Sequence, residues 1–140
     1  MLRADAAALP FADQSAELAV ACMSLLDIED FQGAVSEIGR VLQPGGRLCL
    51  TVVHPFASAQ DEDTMHTGSP RFSRPYLQSR QYIDRFQRDG LTMTFTSMHR
   101  PLSAYTSALL ANGMMISAVT ERGNGPLPWL LAIRADKILY

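Results

Sequence analysis

Apolar positions along this chain come in short blocks, some compact and some spaced as helical stripes. Residues 1–4 read as the tail of a short strand, and residues 9–15 as a turn punctuated by Pro10. Residues 17–23 form a compact apolar run, the pattern of a buried strand. An acidic loop at 27–30 follows, and Asp30 is suited to cap a helix over residues 31–42. Within that span Val35, Ile38, Val41 and Leu42 share one helical face. Pro44 stops the helix, and Gly45 and Gly46 allow a tight reversal. Residues 47–53 then show no alternation, as expected of a parallel strand covered on both faces. Pro55 closes it.

Residues 56–90 break this rhythm. They are rich in Ser, Asp, Gln and Arg, and a connection this long is usually functional or mobile. Tyr76, Tyr82, Ile83 and Phe86 suggest one side of a short helix there. Residues 91–98 alternate apolar and polar, which predicts a half-exposed strand. Residues 101–112 predict a helix with Leu102, Tyr105, Ala108 and Leu109 inward, ended by Asn112-Gly113. Strands at 115–121 and 129–135 flank a turn at 123–126. Strands alternating with helices predict an α/β chain with a doubly wound sheet. The two closing strands, joined by a short turn, predict an antiparallel hairpin at its edge. The Gly123-Asn124-Gly125 run is turn chemistry, because it does not lead from a strand into a helix as a phosphate loop does.

Totals narrow the class. The 140 residues are one domain's worth of chain, 47% hydrophobic and 19% charged, which excludes disorder. A net charge of −2 gives no reason to expect nucleic acid or an acidic membrane as partner. Cys22 and Cys49 sit in apolar runs and read as buried free thiols in a reducing compartment. Two cysteines at that spacing do not make a metal site. No run is long and apolar enough to span a bilayer, and the first residues lack a signal peptide's apolar core, so a cytoplasmic location is expected.

Three segments carry a more specific signal: Asp5-Ala6-Ala7-Ala8-Leu9-Pro10-Phe11, then Ala16-Glu17-Leu18-Ala19-Val20-Ala21, then Arg40-Val41-Leu42-Gln43-Pro44-Gly45-Gly46. Their wording and order resemble the class I S-adenosylmethionine-dependent methyltransferases, in particular the small-molecule branch. The resemblance implies a Rossmann-like sheet with a C-terminal antiparallel hairpin at one edge. That sheet is incomplete, because the family's glycine-rich loop and the acidic residue after its second strand have no counterpart in these residues. The resemblance also implies S-adenosylmethionine as cofactor and a small-molecule methyl acceptor. Residues 1–140 would be one partial domain, with 56–90 as a substrate-side insertion or lid. Without the family's first two strands, residues 18–23 become an unguarded apolar edge. Completion by a homodimer or by another subunit is therefore expected.

Site residues follow from the same resemblance. Asp5 and Ala6 would meet the adenine, although Asp5 equally suits capping its own turn. Cys22, Met23, Ser24 and Leu25 would lie under the sulfonium and the methionine arm, or simply in the core. His54 and His99 are candidates for taking the acceptor's proton, with a structural role as the alternative. Arg100 could meet an acidic substrate group, and Tyr76, Tyr82 and Phe86 could stack on an acceptor or only pack the loop. Asp27 and Asp30 read as loop and cap, and His66 as exposed. No metal is expected. The expected function is methyl transfer to a small molecule, incomplete in the isolated chain. Two alternatives stand beside it: a non-catalytic module that pairs through its sheet edge, and a fragment of a dinucleotide oxidoreductase.

Overall fold

The two apolar runs of the first half become neighbouring parallel strands. In the computed structural model, which describes residues 1–139, β1 (Ala16–Cys22) pairs in parallel with β2 (Leu42–Val53). Helix α1 (Phe31–Val41) crosses between them. The Asp30 carboxylate caps it by accepting from the Gly33 N–H at 2.9 Å. The register between the two strands jumps from Ala16↔Leu42 to Leu18↔Arg47. The Pro-Gly-Gly corner is therefore looped out as a bulge, with Gly45 at φ +78°.

The second half adds α2 (Pro55–Ser58), β3 (Arg80–Arg88), β4 (Leu91–His99), α3 (Leu102–Ala111), β5 (Met114–Arg122) and β6 (Leu130–Lys137). The main sheet has the order β1-β2-β6-β5. Strand β6 runs antiparallel to both neighbours, so the final hairpin closes one edge as expected and β1 forms the other. Helices α1 and α3 meet through Phe31 and Tyr105, edge to face at 5.2 Å between centroids. Leu48, Leu50, Val52, Leu131 and Ile133 pack into the same core. Lys137 Nζ donates to the carbonyls of Gly39 and Asn112, at 2.9 and 3.1 Å, tying the two helix ends together. No helix among the described residues is long and apolar enough to cross a membrane.

Five expectations need correction. Residues 1–4 form no strand, because no strand among the described residues lies beside them. Strand β2 is covered on one face only: Leu48, Leu50 and Val52 are buried, while Cys49, Thr51 and Val53 on the other face are half-buried. Cys22 is exposed and Cys49 half-buried for the same reason, so these are not buried thiols. The helix suggested by Tyr82, Ile83 and Phe86 is strand β3, paired in register with β4 as a separate two-stranded hairpin. Leu102 opens α3 on the solvent side, and only Tyr105, Ala108 and Leu109 point inward.

Candidate active site at the carboxyl ends of the strands

Strands β1 and β2 run in parallel, so Met23 and Val53 mark their carboxyl ends at one end of the sheet. Open α/β sheets place ligands there. A cavity of about 950 Å³ lies at this end, with Met23 and Val53 on its floor. The β3–β4 hairpin forms one wall. Alternation along β3 sends Tyr82, Asp84 and Phe86 to that wall, and their cross-strand partners include Ser97 and Phe95. The Phe86 and Phe95 rings stack at 5.7 Å. Trp129 and the 124–127 turn also line the cavity.

Polar groups converge on this space. Ser97 Oγ donates to Asp27 Oδ1 at 2.6 Å. His66 Nε2 meets Asp84 Oδ1 at 2.6 Å. A carboxylate only accepts, so His66 Nε2 carries a ring proton and donates it to Asp84. Burial, reinforced by the Asp84 charge, pushes the Tyr82 phenol above its ordinary range, so it stays protonated. Met23 and His66 both hold positive φ, at 51° and 67°. Such backbone outliers gather at functional sites.

The residues singled out in the sequence divide into two groups. Tyr82, Met23 and Phe86 line the cavity. Met23 N–H donates to the Thr51 carbonyl at 2.9 Å, so the chain turns away directly at the strand end. Asp5 Oδ1 accepts from the Ala7 N–H at 2.9 Å, which is the turn-capping alternative, and its other oxygen remains. The Asp5–Ala8 turn packs beside the start of α1, where a Cβ built on Gly33 would lie 3.0 Å from the Ala7 side chain. That helix start follows β1, so Asp5 and Ala6 also lie at the carboxyl end of the sheet. Ser24 begins a 3-10 turn without using its hydroxyl as a cap, while the Leu25 side chain is buried in the core.

The other group is occupied within the fold. His54 is buried; its Nδ1 accepts from the Phe56 N–H and its Nε2 meets Glu121 at 2.7 Å. His99 is fully buried between Ser58 Oγ and the Tyr76 carbonyl, and burial pulls its pKa below the ordinary value, so it stays neutral. Arg100 donates to the carbonyls of Leu25 and Ile28 and lies over the Phe31 ring, 4.7 Å from its centroid. Tyr76 Oη accepts from the Leu102 N–H at 2.9 Å. Both ring nitrogens of His54 and of His99 are thus engaged within the fold, as are two guanidinium nitrogens of Arg100. Asp27, Asp84, Ser97 and Trp129 also line the cavity, and none of them is singled out as a site residue by the sequence. The alternation of β3 would have revealed Asp84, had residues 80–88 been read as a strand.

S-adenosylmethionine fits this end of the sheet in part. Residues 22–25 and the Asp5–Ala6 turn offer main chain and one carboxylate oxygen at the strand ends. Among the described residues no glycine-rich turn leads from a strand into a helix to complete the cradle.

Comparison with known proteins agrees with this geometry. Residues 1–50 match the family model described as a methyltransferase domain. A Listeria monocytogenes chain assigned as an S-adenosylmethionine-dependent methyltransferase superposes with a TM-score of 0.72 at 20% identity. It covers 94% of this chain and 66% of its own. The S-adenosylmethionine-dependent methyltransferase of Mesorhizobium loti gives 0.66 at 18% identity, covering 97% and 68%. The [4+2]-cyclase SpnF gives 0.62 at 18% identity, covering 98% and 55%. No curated protein matches. The chain thus spans about two thirds of the length of the methyltransferases it matches. Its fold is that of the S-adenosylmethionine-dependent methyltransferases, with the methyltransferase-domain match over its first 50 residues.

Proposed function

We propose that this chain supplies the acceptor side of an S-adenosylmethionine-dependent methyltransferase site, and that its cavity receives a small molecule. One observation carries this reading: on a methyltransferase fold, the cavity opens at the carboxyl ends of β1 and β2 beneath the β3–β4 hairpin. Because the same fold also serves a cyclase, the reading rests on the site and not on the fold.

S-adenosylmethionine, when bound, supplies a methyl group activated on sulfur, so the protein's task is chiefly alignment. Residues 22–25 and the Asp5–Ala6 turn would hold it. Residues 56–90 act as the lid that sets acceptor choice. His66 Nδ1 takes the acceptor's proton, and Asp84 holds the ring in the required tautomer. Tyr82, still protonated, donates to the acceptor. Titration calorimetry with S-adenosylhomocysteine tests the reading. Weak but saturable binding is expected of this chain. Absence of heat at millimolar ligand defeats it, and micromolar binding defeats the view that the cradle is partial.

A second reading is favoured by a different observation. Leu18 and Val20 are 56% and 68% exposed on the edge strand β1. A module pairing with itself or with another subunit would cover them. Association without any binding of S-adenosylhomocysteine would select this reading. A cytoplasmic location fits both, since Cys22 and Cys49 are unpaired and reachable by solvent.

A further inference from the structure

The cavity wall combines aromatic surface with two carboxylates. Phe86, Phe95 and Trp129 supply the faces, and Asp27 and Asp84 supply the carboxylates; among the described residues no lysine or arginine lines the space. Neither carboxylate is paired with a lysine or arginine. Asp27 Oδ1 meets only the Ser97 hydroxyl, and Asp84 Oδ1 meets only His66. Asp84 is also mostly withdrawn from water, with its side chain 17% exposed. A partly desolvated carboxylate with no lysine or arginine partner attracts a cation more strongly than an exposed one and repels an anion equally. Aromatic faces add to this, because their quadrupoles favour cations.

We infer that the cavity selects an aromatic molecule bearing a basic amine and rejects carboxylated or phosphorylated ones. This rests on the reading of the cavity as the acceptor site and names the class of acceptor. The ring lies between the hairpin aromatics and Trp129, and its ammonium faces Asp27 and Asp84.

Trp129 is the chain's one tryptophan and stands on the cavity wall, so its fluorescence reports occupancy directly, without any cofactor. The full chain is titrated with three matched probes: phenethylamine, 2-phenylethanol and 3-phenylpropionate. Saturable changes are expected, with phenethylamine bound at least about tenfold more tightly than 3-phenylpropionate and the alcohol between them. In the Asp27→Asn, Asp84→Asn variant the amine should lose its advantage over the alcohol while the alcohol's affinity is kept. Added salt should weaken phenethylamine binding to the unmodified chain and leave the alcohol unchanged, which tests the charge term without relying on a variant. Equal affinities, tighter binding of the carboxylate, no saturable signal, or a preference insensitive to salt would each overturn the inference. An ammonium preference in a chain that never binds S-adenosylhomocysteine would leave this inference standing and remove methyl transfer instead.

Discussion

Glu37 and Arg40 fasten the amino-terminal segment to α1. Glu37 Oε1 accepts from Arg40 Nε at 2.7 Å, and its Oε2 accepts from the Leu9 N–H at 2.8 Å. Arg40 also donates to the carbonyls of Leu9 and Phe11 and to Asp13. These bonds, with Arg40 first and the Leu9 N–H second, pull the Glu37 pKa from its ordinary 4.5 to about 2. A carboxylate held below its unfolded value stabilises the fold above that value, and the contribution is lost as pH falls from about 4.5 to about 2. Melting followed across that window should fall less steeply for Glu37→Gln than for the unmodified chain; equal slopes would count against the pair. Arg100 is the second test at this scale. It reads as a substrate ligand from its place beside His99, yet its guanidinium satisfies two loop carbonyls in a nearly buried position. Arg100→Ala should cost about 2–4 kcal/mol in urea denaturation, because two carbonyls lose a charged donor. A purely substrate-binding arginine would leave stability unchanged. His54, His99 and Arg100 stand out by sequence position, but which of their atoms are engaged within the fold depends mainly on distant neighbours, as in Ser58 and Tyr76 for His99 and Leu25 for Arg100.

Two elements show how far local pattern reaches. The helix-stop-strand passage from α1 to β2 is legible because proline and glycine act on their own backbone. The structure adds what stands against Gly46: a Cβ there would lie 2.8 Å from the Gln43 carbonyl oxygen and 3.2 and 3.3 Å from those of Ala16 and Glu17. All three are backbone atoms that cannot swing aside. Gly46→Ala should therefore destabilise by about 1–3 kcal/mol, read by thermal or urea unfolding. A neutral substitution would show that the bulge tolerates displacement. The β3–β4 hairpin reads less well. Tyr82 and Phe86 are four residues apart, which suits one face of a helix and one face of a strand alike. Nine cross-strand pairs with β4 settle the choice, and with it the cavity wall.

In the molecule as a whole, the main sheet carries α1 and α3 on one face, and among the described residues no helix covers the other. Leu18, Val20, Met115 and Val119 are more than half exposed on its two outer strands. Exposed apolar surface on an unpaired strand promotes pairing with another chain. Sedimentation velocity should show association that rises with concentration, and Leu18→Lys with Val20→Lys should suppress it. A monomer at all concentrations would remove the pairing expectation. Features that act locally were legible in the sequence: the Asp30 cap, the Pro-Gly-Gly corner, the strand after it, the helix before Asn112-Gly113 and the closing hairpin. The sequence also carried the family wording, which is written in those same corners. Long-range packing set the rest: which face of β2 is covered, that residues 80–88 form a strand, and that Asp27, Asp84, His66 and Trp129 line one space. These depend on pairs distant along the chain, where register and burial are set by packing and not by any residue's own preference.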